Sequence, residues 1–349
     1  MISNCVFEQN AAAAGGAVWV GGGAPTFVGC TFRDNAAGEG GAIYTATFGR
    51  PLFEGCRFAA NLAEAGGAVF CQEAFPAFVD CTFQDHLANG GGGACRVEGG
   101  GAIFDRCLFS GNEGGTGGVV TAMSSGEVQF LRCTMTGNGS NFGGHIAAFE
   151  NAEVVVSHSI LAFAHSGGAA RCFQSSITMQ CCDLYGNEGG DWSDCVTHQF
   201  DGISNIAADP LFCLPEGGDY TLRSDSPCAQ ENNPVCGQIG ALQVGCVSAS
   251  LACGDGPSSG LRPVPNPARA GQPVRLLGRS DIAQAVRSLE IHDIAGRLIR
   301  TIDVASGAIG EAPMWDGRDS RGRPAAAGLY RMLARTEAGH FTATLVLLR

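Results

Sequence analysis

The sequence predicts an all-β protein: a parallel β-solenoid over residues 1–250, a linker over 251–265 and a small β-sandwich over 266–349. Three observations carry this. Cysteines recur every 25 or 26 residues, at Cys5, Cys30, Cys56, Cys81, Cys107 and Cys133. Each brings the same companions at the same offsets, which is the mark of a repeat architecture. The pattern ends before a stretch rich in Gly, Pro and Ser, beyond which strand-like runs alternate with turn signals.

The companions explain the coil. Two residues after each cysteine stand Phe7, Phe32, Phe58, Phe83, Phe109 and Met135, and three residues before stand Phe27, Phe53, Phe78, Phe104 and Phe130. Residues two apart share one face of a strand, so Cys and Phe both point into the coil. Glycine pairs follow at Gly15-Gly16, Gly40-Gly41, Gly66-Gly67, Gly91-Gly92, Gly117-Gly118 and Gly143-Gly144, each opening a short apolar run such as Val18-Trp19-Val20. Three short strands per coil are expected, with coils about 4.8 Å apart, so eight coils give a rod of about 38 Å. The last two coils are degenerate, starting at Ser159 and Cys182. One coil alone buries too little; stacking supplies the core.

Asn10, Asn35, Asn61, His86, Asn112 and Asn138, five residues after each cysteine, are expected at the turn. Asn tolerates the left-handed conformation, and its amide can bond to the same residue of the next coil. The stacked cysteines are expected to stay free and buried. In register their Cβ atoms stand about 4.8 Å apart and point the same way, which does not suit a disulfide. Cys172, Cys181, Cys182, Cys195, Cys213, Cys228, Cys236, Cys246 and Cys253 lie in Gly-, Asp-, Pro- and Asn-rich sequence without that spacing. They read as disulfide staples and point to an oxidising compartment. Their spacing fits no standard zinc pattern.

Charge narrows the function. Residues 1–250 hold 8 Arg against 24 acidic residues, a net −16, and residues 251–349 hold 13 against 9, a net +4. An acidic body argues against nucleic acid as the main partner. The chain has no lysine, so Schiff-base chemistry is excluded too. No segment approaches the ~20 apolar residues of a membrane span. Met1-Ile2-Ser3-Asn4-Cys5 runs straight into the repeat without a leader pattern. A solenoid edge needs a cap, so further sequence, with a signal peptide, is expected upstream.

Past the linker, runs at 274–277, 286–293, 297–304, 328–336 and 340–348 alternate as strands do. Turn signals at Ala295-Gly296, Asp316-Gly317, Arg321-Gly322 and Ala338-Gly339 separate them. About 80 residues of this kind suit a β-sandwich.

On these motifs resemblances can be stated. The Phe…Cys-x-Phe…Asn…Gly-Gly-Ala repeat resembles the right-handed parallel β-helix repeats of the polymorphic outer-membrane protein and pectate-lyase-like superfamily. Ala208-Asp209-Pro210-Leu211-Phe212, Asp219-Tyr220-x-Leu222, Ser226-Pro227 and Ile239-Gly240-Ala241 resemble the closing signature of secreted bacterial β-helix proteins. Asn266-Pro267, the run from Ile291 to Arg297, Trp315-Asp316-Gly317-Arg318-Asp319 and Ala327-Gly328-Leu329-Tyr330 resemble the Ig-like domain of the flagellar hook-capping protein FlgD and the sorting domains of type IX secretion cargo. The resemblance implies a right-handed solenoid body and an Ig-like tail that serves export or attachment. The fold hosts lyases, hydrolases, adhesins and stalks alike, so it does not fix function.

Catalysis would need carboxylates gathered on an outward face. The column one residue before each cysteine reads Asn4, Gly29, Gly55, Asp80, Arg106, Arg132, and that three residues after reads Glu8, Arg33, Ala59, Gln84, Ser110, Thr136. Both set opposite charges on neighbouring coils, as a solvated surface does. The best acid pair is Asp34 and Asp85, two coils and roughly 10 Å apart, with Ala60 between them. That is just wider than the ~6.5–9.5 Å of an inverting glycosidase. His145, His158 and His165 fall at different phases of the coil and are not expected to share a metal. Asp316 and Asp319 lack the EF-hand pattern and are expected to form a turn. No catalytic, cofactor or metal residue is assigned. The expectation is a non-catalytic secreted or cell-surface protein whose β-helix body is a structural or adhesin-like binding surface, with glycan or a surface protein as the partner classes and the secretion machinery recognising its tail. A fragment of a polysaccharide lyase or glycoside hydrolase is the alternative.

Overall fold

The computed structural model describes residues 1–247 without a break, and beyond them 261–264, 268–269, 274–278, 286–293, 297–303, 314–326, 328–336 and 339–348. The chain divides into two compact units, 1–250 and 251–349.

The first unit is a parallel β-solenoid. The strand after each ladder cysteine joins one eight-stranded sheet, from Val6–Glu8 to Asp183–Tyr185. A bridge from Asp183 to Ile206 begins a further turn. Coils stack in register, Phe32 against Phe58 and Phe58 against Phe83. The expected rows of phenylalanine are therefore two stacks. Phe7, Phe32, Phe58, Phe83 and Phe109 stand 4.6–4.9 Å apart ring to ring. Phe27, Phe53, Phe78, Phe104 and Phe130 stand 4.9 Å apart. The stacks meet edge to face, which suits the ring quadrupole. Each fully buried ring contributes about 1.5–3 kcal/mol.

Three details differ from expectation. Each of the early coils has four strands, not three. The fourth comes from the stretch between Asn and the glycine pair, such as Ala36–Glu39 and Leu62–Ala65. Alanine and glutamate have weak strand preference, so stacking against the neighbouring coil makes these strands. Second, the left-handed residue is the one before Asn: φ is 55° at Gln9, 56° at Asp34, 50° at Ala60 and 56° at Asp85. That corner turns the following Asn into the core. A second left-handed column precedes the cysteines, with φ 50–59° at Asn4, Gly29, Gly55, Asp80, Arg106, Arg132, His158 and Cys181. Third, the glycine pair of the fourth coil is Gly92-Gly93. Gly91 is an extra residue absorbed by a register shift between Ala63 and Ala65.

The glycine pair is required by geometry. Gly66 has φ +63°, and a Cβ on Gly67 would lie 2.2 Å from the carbonyl oxygen of Gly93 on the next coil. Backbones approach there too closely for any side chain.

The ladder thiols are free and buried from Cys30 to Cys133. Each bridges two carbonyls, as Cys81 does to Val79 and Phe53 at 3.3 and 3.4 Å. Cys5 is free and exposed. Cys182, grouped by its neighbourhood with the staples, is a ladder residue: free, buried and bonded to Val156 and Gln180 in the same way. Ser159 takes the intervening step. The staples are Cys172–Cys195, Cys181–Cys236 and Cys213–Cys246. Cys228 is free and buried, and Cys253 lies outside the described residues.

Residues past 186 close the body. Val196, in the short helix Asp194–Gln199, is fully buried in the solenoid core, and Trp192 packs beside it. Phe212, Leu222, Cys228 and Ile239 then pack on Ile160 and Ala162, outward residues of the eight-stranded sheet.

The second unit has a three-stranded sheet, Leu261–Val264, Val274–Gly278 and Met314–Trp315, and a five-stranded one. The larger sheet includes the antiparallel strands Val286–Asp293, Leu298–Asp303, Gly328–Thr336 and Gly339–Leu348. The predicted sandwich strands are thus present. Leu261–Val264 falls in the predicted linker but is a strand paired antiparallel with Val274–Gly278. Its proline and short length hid it, and an outer position tolerates both. The core includes Val274, Leu289, Ile291, Trp315, Tyr330, Met332 and Leu345. Among the described residues no helix is long and apolar enough to cross a membrane.

Candidate functional site

The asparagine column is the most ordered polar feature of the body. Asn35 donates through its backbone N–H and Nδ2 to Asn61 Oδ1, both at 3.0 Å, and through Nδ2 to the Phe7 carbonyl at 2.9 Å. Asn112 repeats this with Asn138 and Phe83. Every donor and acceptor of such a buried amide is used, which makes the column structural.

Two histidines sit inside this column. His86 takes the place of an asparagine. Its Nδ1 accepts from the Asn61 N–H at 3.0 Å, while its fully buried Nε2 has no hydrogen-bond partner. Burial pushes its pKa down to about 3, against the Asn61 and Phe58 backbone groups, which act the other way. His145 stands off the five-residue asparagine phase and at a different phase from His158 and His165. It instead fills a gap. The coil between Asn138 and Asn187 carries Ala164 at the asparagine position, and the fully buried His145 spans it. Asn138 Nδ2 lies 3.2 Å from His145 Nδ1, and Asn187 Oδ1 lies 3.0 Å from Nε2. An amide N–H must donate to Nδ1, so the ring is neutral with its proton on Nε2. Burial pushes its pKa down to about 4.

The other sequence candidates separate. Asp34 and Asp85 are exposed corner residues. Asp85 leans over the next coil, where a Cβ on Gly111 would lie 2.4 Å from its Oδ1. Its charge also acts on Tyr220 of the closing segment, whose phenol is pushed up mainly by burial. His158 bonds to Ser157 Oγ at 2.8 Å, and His165 reaches Glu113 at 2.5 Å across Gly139. The three histidines share no ligand set. The alternating charges pair as expected: Arg33 with Glu8, and Arg106 with Asp80 at 2.7 Å.

Asp319 accepts from the N–H groups of Arg321 and Arg323 at 2.9 Å and pairs with the Arg323 side chain. Asp293 likewise accepts from the Arg297 N–H at 2.9 Å and from Arg297 Nε at 3.0 Å. Asp316 accepts from Arg300 and from the Arg318 N–H. Asp316 and Asp319 hold turns, as the sequence suggested.

Sequence reasoning missed Asp183. It is fully buried on the last strand of the eight-stranded sheet, under the closing segment. Oδ1 accepts from the Ala208 N–H at 3.0 Å and Oδ2 from the Cys228 thiol at 3.1 Å. Burial raises its pKa to about 7, against those two donors. Position after a ladder cysteine was the available signal, but only the fold of the closing segment covers it.

Residues 270–339 match the family described as the FlgD Ig-like domain. The chain matches no curated protein and no solved structure.

Proposed function

We propose that the chain is a non-catalytic surface protein. Its solenoid is a rigid body that presents a binding surface for glycan or a surface protein, and its FlgD Ig-like segment serves export or attachment. The observation that carries this is the pairing of a stacked solenoid with an FlgD Ig-like match at 270–339. The asparagine column inside the solenoid is committed to holding coils together, and the three disulfides among the described residues suit an oxidising compartment.

The test is a fusion of residues 261–349 to a secreted reporter in a host with the matching secretion route. Surface display of the reporter, and loss of display when those residues are deleted from the full chain, supports the reading. A deletion that leaves the full chain on the surface refutes it. Turnover of an acidic or neutral polysaccharide that disappears in Asp85→Ala refutes the non-catalytic assignment.

A further inference from the structure

We propose that reduction of the Cys172–Cys195 disulfide converts it into a divalent-metal site of zinc type, completed by Asp194. Among the described residues, Cys172, Asp194 and Cys195 are the one group whose three ligand atoms all lie within 4.8 Å of one another. Neither Cys181–Cys236 nor Cys213–Cys246 has a third ligand so placed. Two sulfurs and one carboxylate suit zinc, with a water in the fourth position.

The sulfurs are held by more than their bond. Cys172 lies on Ala170–Phe173, paired in register with Ile146–Phe149. Cys195 lies in Asp194–Gln199, anchored by fully buried Val196. Gln199 fastens the same segment, accepting from the Met179 N–H and donating to the Ile177 carbonyl, both at 2.7 Å. These contacts survive reduction, so the ligands stay close together.

The carboxylate is oriented as a ligand should be. Asp194 Oδ1 accepts from the Cys195 N–H at 2.8 Å, and Oδ2 from Arg171 Nε at 3.2 Å. Outer hydrogen bonds of this kind fix ligating carboxylates. The Arg171 guanidinium packs over Phe142 at 4.5 Å and offsets the net negative charge of a dithiolate–carboxylate metal centre. The site opens on a cavity of about 250 Å³ lined by Gly168, Ala170, Arg171, Gly189, Ser193 and Asp194. It leaves room beside Asp194 for the fourth ligand.

The step balances with an external dithiol. The dithiol gives two electrons and two protons and becomes a disulfide; Cys172 and Cys195 become thiols. The metal ion then binds both sulfurs and Asp194, releasing the two thiol protons. In either state the same residues tie the last coil to the segment that closes it.

The experiment uses the full chain, reduced, freed of reductant under anaerobic conditions and titrated with Co(II). A single tetrahedral Co(II) with thiolate charge-transfer absorption is expected. Cys172→Ala removes it, Cys181→Ala leaves it, and Asp194→Asn weakens binding about tenfold or more. Zinc raises the melting temperature of the reduced protein but not that of reduced Cys172→Ala. Far-ultraviolet circular dichroism of each reduced variant checks that the solenoid is intact. Asp194→Asn, which keeps every cysteine, separates a lost ligand from a lost fold. Absence of a cobalt–thiolate signal in the reduced wild type overturns the proposal. So does a signal that persists in Cys172→Ala, or one that Asp194→Asn leaves at full affinity.

Discussion

Replacing His86 by Asn gives a stability change whose size depends on pH in a calculable way. In the folded chain His86 stays neutral down to about pH 3 because burial penalises the imidazolium. In the unfolded chain it takes up a proton near pH 6.5. Below that value the unfolded state binds a proton that the folded state does not, so wild-type stability falls as pH drops from about 6.5 towards 3. At 1.36 kcal/mol per pH unit the loss is about 2 kcal/mol at pH 5 and about 3 kcal/mol at pH 4. His86→Asn removes this loss. It also restores an amide to the column, one able to accept from the Asn61 N–H as His86 Nδ1 does. The buried Nε2 without a partner disappears, a gain of about 1–3 kcal/mol, partly offset by the smaller side chain. Equilibrium urea unfolding of both proteins at pH 8, 5 and 4 reads the difference directly, because other titrating groups cancel between them. The variant should gain on the wild type by about 2 kcal/mol from pH 8 to pH 5. Curves that stay parallel across that range refute the argument.

Three further outcomes are expected. Asp183→Asn should behave with the opposite sign. The folded pKa of about 7 exceeds the unfolded 3.9, so the wild type loses stability as pH rises through this window. The variant should gain about 3 kcal/mol on it between pH 4.5 and 8, measured in the same way. Gly67→Ala should cost more than about 3 kcal/mol, because a Cβ meets the Gly93 carbonyl at 2.2 Å; a melting temperature within a degree of wild type would contradict the packing. Mass spectrometry after alkylation of the native and the denatured protein should show Cys30, Cys56, Cys81, Cys107, Cys133 and Cys182 modified only on denaturation. Disulfide-linked peptides should join 172 to 195, 181 to 236 and 213 to 246, and linked ladder cysteines would refute the free-thiol column.

The sequence by itself determined the solenoid, its register, its phenylalanine stacks and its free thiols. A repeat of 25 or 26 residues writes each inward position many times over, and identical neighbours at one strand spacing constrain one another. It determined most sandwich strands too, since alternation is a local signal. It started a degenerate coil at Cys182, yet it could not separate that thiol from the staples, because the repeat is degraded there and other cysteines crowd the same stretch. It could not show that His145 spans the gap at Ala164. That role depends on a side chain reaching Asn187, 42 residues away. The burial of Asp183 depends on the closing segment, whose Ala208 and Cys228 meet it from 25 and 45 residues off. The cluster of Cys172, Asp194 and Cys195 likewise exists only because a closing helix packs on the last coil. Periodic contacts repeat and are legible in one dimension. Single contacts between distant segments carry no period, and only tertiary packing decides which residues they join.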